Sequence, residues 1–461
     1  MSESAVGLDR PSLEQSAGER VESVLSWGGA ISLLVLVVWL VPIKTYRLPV
    51  SLPFSLEVYR LLIIVLIGAW IVGIITGTRG ISAAGLAKPV ILLAAVATLS
   101  VLANATSLSH EGQQTQAIKS LTYFLSFLVA YLLVCSTLDS LPAVELVVRA
   151  LVLGGAVIAV FAVYEARTHY DVFDHLHKWF RFFEPTRTVR QAARRGGRLR
   201  VHASAQHPIA LGAALTMTMP LALYLASRAR TQGSKLFWGA VGGLVAVGAL
   251  TTISRTVVSM AIAMLVVGLL VRAQAVRRYW PALLVTLVAV HFATPHTLGS
   301  LYHSFAPKGG LVQSQTRRAS AVGSGRVADI APGLRSWKQA PFFGHGLGIG
   351  KTRGTVGPGA IVDPKTGAPL IFDDQYLNSL VSIGFLGLIG VLWFVWGGVA
   401  RLVGTARRLR GAAGDLIAAC AAACAGFGVG MLTFDAFAFV QCTLIFFVIA
   451  AIGLRARALA A

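Results

Sequence analysis

The chain has 461 residues, 56% of them hydrophobic and only 13% charged, and its mean hydropathy is +0.72. A soluble domain carries roughly 25% charged residues, so this composition excludes a set of soluble domains. The formal net charge is +21, and where that charge lies carries more information than its size, because lysines and arginines in short loops mark the cytoplasmic side.

The apolar residues fall into blocks about 20 long, the length that crosses ~30 Å of hydrocarbon as a helix. The predicted fold class is therefore all-α, a polytopic membrane helix bundle. A cytoplasmic tail over 1–23 is polar with mixed charge and does not read as a cleavable signal. Twelve spans follow, near 24–43, 57–76, 86–104, 117–137, 143–165, 208–227, 236–253, 255–273, 281–299, 377–400, 414–433 and 435–454. Only Ser254 and Arg255 separate the seventh and eighth, which predicts a tight helical hairpin. The first nine spans occupy 24–299, a large outer loop occupies 300–376, and the last three spans with a short tail occupy 377–461. Cys135, Cys420, Cys424 and Cys442 all sit in apolar segments, which suggests small buried hydrophobes, not a disulfide framework or metal site.

With the N-terminus counted as cytoplasmic, the inner connections hold Arg79 and Lys88, then Arg228, Arg230 and Lys235, then Arg272, Arg277 and Arg278, then Arg401, Arg407, Arg408 and Arg410. Short outer connections hold few basic residues, so both termini are predicted inside. The inner loop around Asp139 runs against this bias. Two long connections then face outward. Residues 166–207 carry nine basic and three acidic residues, a net of +6, and 300–376 carry nine and four, a net of +5. Topology does not require this outer charge. It suits either anionic lipid headgroups or a phosphate ligand gripped by guanidinium forks; nucleic acid is not expected. The aromatic stretch Tyr170–Phe183 reads either as an outer interfacial segment or as ordinary loop packing.

Four motifs lie on this outer side in order: Arg-Val-His-Ala-Ser-Ala-Gln-His-Pro from Arg200, Ile-Ser-Arg-Thr at 253–256, Ser-Gly-Arg ending at Arg326 with Pro-Phe-Phe-Gly-His-Gly-Leu-Gly-Ile-Gly at 341–350, and Phe-Asp-Asp-Gln-Tyr-Leu-Asn-Ser-Leu-Val-Ser-Ile-Gly at 372–384. Over about 195–395 the chain resembles the O-antigen ligase and O-antigen polymerase superfamily. The resemblance implies a metal-independent glycosyltransferase of the bacterial inner membrane without a cofactor, acting at the periplasmic or external face. Its donor would be an undecaprenyl diphosphate-linked glycan and its acceptor a glycan or lipid hydroxyl. The family's arginines correspond to Arg200, Arg255 and Arg326, which fits the chemistry: breaking the anomeric C–O bond develops charge on a diphosphate, and positioned cations must stabilise it. Arg198, His207, His345 and Tyr376 are further candidates for substrate contact. Where family ligases commonly carry His-Asn, this chain has Asp373 and Asp374. The pair reads as general base or as helix cap, with His207 and His345 as rival bases. A slight preference for polymerase over ligase follows from the missing histidine. Alternatives are a transporter or flippase of lipid-linked glycans, which would place charges within the spans, and a peptidoglycan-type glycan polymerase.

Overall fold

The computed structural model describes residues 26–49, 57–110, 112–186, 194–195, 198–294, 297–305, 329–348 and 372–460. In chain order the helices are α1 (Trp27–Leu40), α2 (Val58–Ile75), α3 (Ala87–Ala103), α4 (Ala105–His110), α5 (Gln114–Thr137), α6 (Leu141–Thr168), α7 (Pro208–Arg228), α8 (Gln232–Thr251), α9 (Arg255–Ala293), α10 (Thr297–Phe305), α11 (Ile330–Trp337), α12 (Gln375–Arg408), α13 (Gly411–Gly430) and α14 (Val440–Leu459). A 3-10 turn at Val172–Lys178 follows α6. Two small antiparallel ribbons complete the described part, β1 (Tyr46–Arg47) with β2 (Glu184–Pro185) and β3 (Arg194–Arg195) with β4 (Arg198–Leu199).

Among the described residues nine helices are long and apolar enough to cross a membrane: α2, α5, α6, α7, α8, the Arg255–Gln274 part of α9, α12, α13 and α14. Three shorter apolar helical segments, α1, α3 and Leu284–Ala293, fall on the remaining predicted spans. The protein is a multi-pass, all-α membrane protein. The ninth predicted span ends earlier than the sequence suggests. The spans expected at 255–273 and 281–299 are two helical segments of α9, joined at a sharp kink where Arg272 leaves helical geometry (φ −141°, ψ 53°). The Arg272 guanidinium is clamped by Asp415 (2.7 Å) and the carbonyls of Ala406 (2.6 Å) and Leu409 (2.8 Å), so the chain breaks from one helix into the next at a side-chain anchor. The second segment ends at Ala293, short of the expected 299.

Helices α7, α13 and α14 are the most enclosed and form the centre, while α2, α8 and the first part of α9 lie outside. On the outer helices Ile64, Val72, Ile75, Ile262 and Leu270 are exposed. In water such surface costs roughly 25 cal/mol per Å²; against lipid tails it costs nothing. Helix contacts rely on small residues, which let backbones approach where lipid offers no hydrophobic drive. A Cβ on Gly154 would lie 2.5 Å from the fully buried Trp39, and one on Gly248 would lie 2.6 Å from Ala159. All four cysteines are buried and free.

At one end of the bundle Asp139 pairs with Arg79 (3.0 Å), which neutralises the acidic residue that ran against the charge bias. The candidate residues of the sequence reading gather at the opposite end. There α12 is broken at Gly384 (φ 73°, ψ −174°). The break would orphan backbone groups, and the 341–346 loop satisfies them: Phe385 N–H donates to Pro341 O (2.8 Å), while His345 and Gly346 N–H donate to Val381 and Ser382 O (3.0 and 2.9 Å). The glycines at 344, 346 and 348 do adopt positive φ. Gly344 and Gly348, however, press on Ser382 and Ser120 of the protein itself, so their tight course serves packing of the loop. Gly350 lies outside the described residues. Gly384→Ala is expected to lower the thermal melting point of the purified protein strongly: the left-handed backbone alone costs ~1–3 kcal/mol, and the new Cβ would sit 2.1 Å from Phe342 O.

Candidate functional site

Four helices begin at this end around one connection, residues 431–439 between α13 and α14. Gln375 at the start of α12 donates its N–H to Met431 O (2.8 Å), and its side-chain Oε1 accepts from Phe437 N–H (2.7 Å). Thr256 in the first turn of α9 meets Thr433, hydroxyl to hydroxyl, at 2.7 Å. Gln206, just before α7, accepts from Val440 N–H at the start of α14 (3.0 Å). Each helix start carries about half a positive charge, so four of them around one connection favour an anion there.

Arg200 is almost fully buried, and its Nε donates to Thr252 O (3.0 Å) at the α8–α9 tip. Arg255 is the first residue of α9, three positions beyond that carbonyl. The fold thus brings together two arginines 55 positions apart in sequence. The tip is the tight hairpin expected there, with Ile253 in the left-handed region (φ 47°). Arg198 belongs to β4, and Arg326 lies outside the described residues. His207 caps α7, its Nδ1 accepting from Ile209 N–H (3.1 Å), and its ring lies 5.5 Å from Phe439. Asp374 caps α12, accepting from Tyr376 and Leu377 N–H (2.8 and 3.2 Å). Asp373 precedes the cap and is partly exposed. The structure therefore separates the two aspartates: one is tied to the helix start and its neighbour is not. Tyr376 is turned inward, its hydroxyl donating to Gly428 O (2.8 Å) and accepting from Trp396 Nε1 (3.1 Å). His345 Nε2 lies 2.9 Å from Ser336 O and 3.2 Å from Ser336 Oγ, which ties its ring to α11.

Other polar residues of this end went unrecognised in the sequence. Glu165, at the end of α6, accepts from the N–H groups of Ala203 (2.8 Å) and His202 (3.3 Å). His202 Nδ1 lies 3.1 Å from Asp171 Oδ2, and the other Asp171 oxygen accepts from Phe173 N–H (2.7 Å). Ligand atoms of Glu165, Asp171 and His202 lie within 4.8 Å of one another, spacing that suits a metal ion. Each carboxylate oxygen already accepts an N–H or faces the imidazole, so the cluster works as a pin, fixing the chain two residues past Arg200. Glu165→Ala strands two buried donors at about 1–3 kcal/mol each. A drop in melting point is expected, with Glu165→Gln recovering part of it.

Asp435 is a second omission. It is the only charged residue between Asp415 and Arg455, which is the signal that would have found it. With Lys44, Lys119, Tyr123, Asn378 and Ser382 it lines a cavity of about 810 Å³ between α5, α12 and the 431–439 connection. That volume falls in the range of small-ligand sites, ~300–1,000 Å³, and its polar lining suits a hydroxyl-rich ligand.

The described part is thus a multi-pass membrane protein that gathers arginines, helix starts and a polar cavity at one end of its bundle. Residues 240–392 match the O-antigen ligase family model, and the match supports membership in the O-antigen ligase and polymerase superfamily. The matched third of the chain includes Arg255, Arg326, His345, Asp373, Asp374, Tyr376 and the broken part of α12. Arg200 and His207 lie before it. No curated protein matches the chain.

Proposed function

We propose that the protein transfers a glycan from undecaprenyl diphosphate to an acceptor sugar hydroxyl at the outer face of the bacterial inner membrane. The observation that carries this reading is the pairing of buried Arg200 with the tip that presents Arg255, beside four helix starts. In the proposed reaction the acceptor oxygen bonds to the anomeric carbon and the bond to the diphosphate oxygen breaks. The diphosphate leaves with the electron pair, and Arg200, Arg255 and the helix ends stabilise its growing charge. Asp373 accepts the acceptor's proton. The 810 Å³ cavity holds sugar rings. We favour chain growth over attachment to a final acceptor because Asp373 and Asp374 stand where family ligases carry His-Asn. The test is mass analysis of lipid-linked glycans in a deletion strain. Accumulated single repeat units support the polymerase, full-length unattached chains replace it with a ligase, and an unchanged profile removes both.

A further inference from the structure

The end of the bundle opposite the candidate site holds a second charged cavity, of about 450 Å³, between α6, the end of α7 and the start of α8. Arg149, Arg228 and Arg230 line it against a single acid, Glu145. Glu145 is already engaged by the Tyr224 hydroxyl (2.6 Å) and approached by Arg149 (3.7 Å). Among the described residues neither Arg228 nor Arg230 is paired with a carboxylate. Helix α8 starts within the same lining, at Gln232, and adds the positive end of a 20-residue helix. Just beyond the arginines the surface turns apolar: Leu236 and Phe237 are 74% and 52% exposed, and Trp238 forms the cavity's edge.

We infer that this cavity binds the phosphate headgroup of an anionic glycerophospholipid. The phosphodiester sits among the guanidinium groups of Arg149, Arg228 and Arg230, where planar forks match its oxygens, and the acyl chains run along Leu236 and Phe237. A soluble phosphate would use the arginines alone; the apolar strip beside them selects the lipid. The site is separate from the glycan chemistry proposed above and does not depend on it.

Native mass spectrometry of the purified full-length protein, with phosphatidylglycerol and phosphatidylcholine added in turn, tests this. Phosphatidylglycerol is expected to remain bound where phosphatidylcholine is stripped. Each arginine near a membrane surface is worth roughly fivefold in affinity, so Arg228→Gln with Arg230→Gln should weaken retention about 25-fold. Arg407→Gln with Arg408→Gln, on exposed residues ending α12 at the same end, should retain the lipid as the parent does. Equal loss in both double variants reduces the effect to general surface charge and overturns the site. No loss in either also overturns it. Glycerophosphoglycerol, which has the headgroup without acyl chains, should bind far more weakly; binding equal to that of the lipid overturns the lipid as occupant.

Discussion

Arg255→Ala and Arg200→Ala are each expected to cut glycan transfer by roughly 10²–10³, about 3–4 kcal/mol, the usual cost of losing one donor aimed at charge developing in the transition state. The two positions differ in what else they do. Arg255 opens α9, so its alanine variant should melt near the parent temperature. Arg200 also donates to Thr252 O from a buried position, so its alanine variant loses both a ligand contact and a brace of the tip that carries Arg255. The double variant should therefore lose less than the product of the single losses, since residues in one network are non-additive. Lysine at 255 should restore only part of the rate, because a point charge does not replace a bidentate fork. Transfer from a purified lipid-linked donor, with melting measured in parallel, checks all four variants. Near-parental rates in both alanine variants would remove the arginines as clamps on the leaving group.

The spans were legible because lipid imposes one length and one polarity on every crossing segment, and that pattern needs no partner to be visible. What the sequence hid depends on partners far away in the chain. The bend at Arg272 follows from Asp415 and two carbonyls more than 130 residues later. The break at Gly384 makes sense only once the 341–346 loop is seen filling it. The glycines at 344 and 348 likewise show their use only in space, where they leave room for serine residues of the protein. The candidate site was half visible. Arg200, Arg255 and the two aspartates stand in motifs whose order and placement on one face single them out together. Glu165 belongs to no motif, and Asp435 shows in sequence only as a lone acid among apolar residues; the worth of each comes from the backbone or cavity it faces.

The sharpest division within the site concerns Asp373 and Asp374. Asp374 accepts two N–H bonds at the start of α12, and asparagine caps a helix about as well as aspartate. Asp374→Asn should therefore keep both melting point and transfer near parental values, while Asp374→Ala should lose ~1 kcal/mol of stability. No such tie to the α12 start holds Asp373, which is partly exposed beside the cap. As the group that takes the acceptor's proton, it contributes through a chemistry that asparagine lacks. Asp373→Asn should keep fold and donor binding and lose roughly 10²–10⁴ in rate, the range supplied by a positioned base. Transfer from a purified lipid-linked donor, measured for both asparagine variants beside their melting points, is decisive. Full activity in Asp373→Asn would eliminate it as the base and move the assignment to His207 or His345.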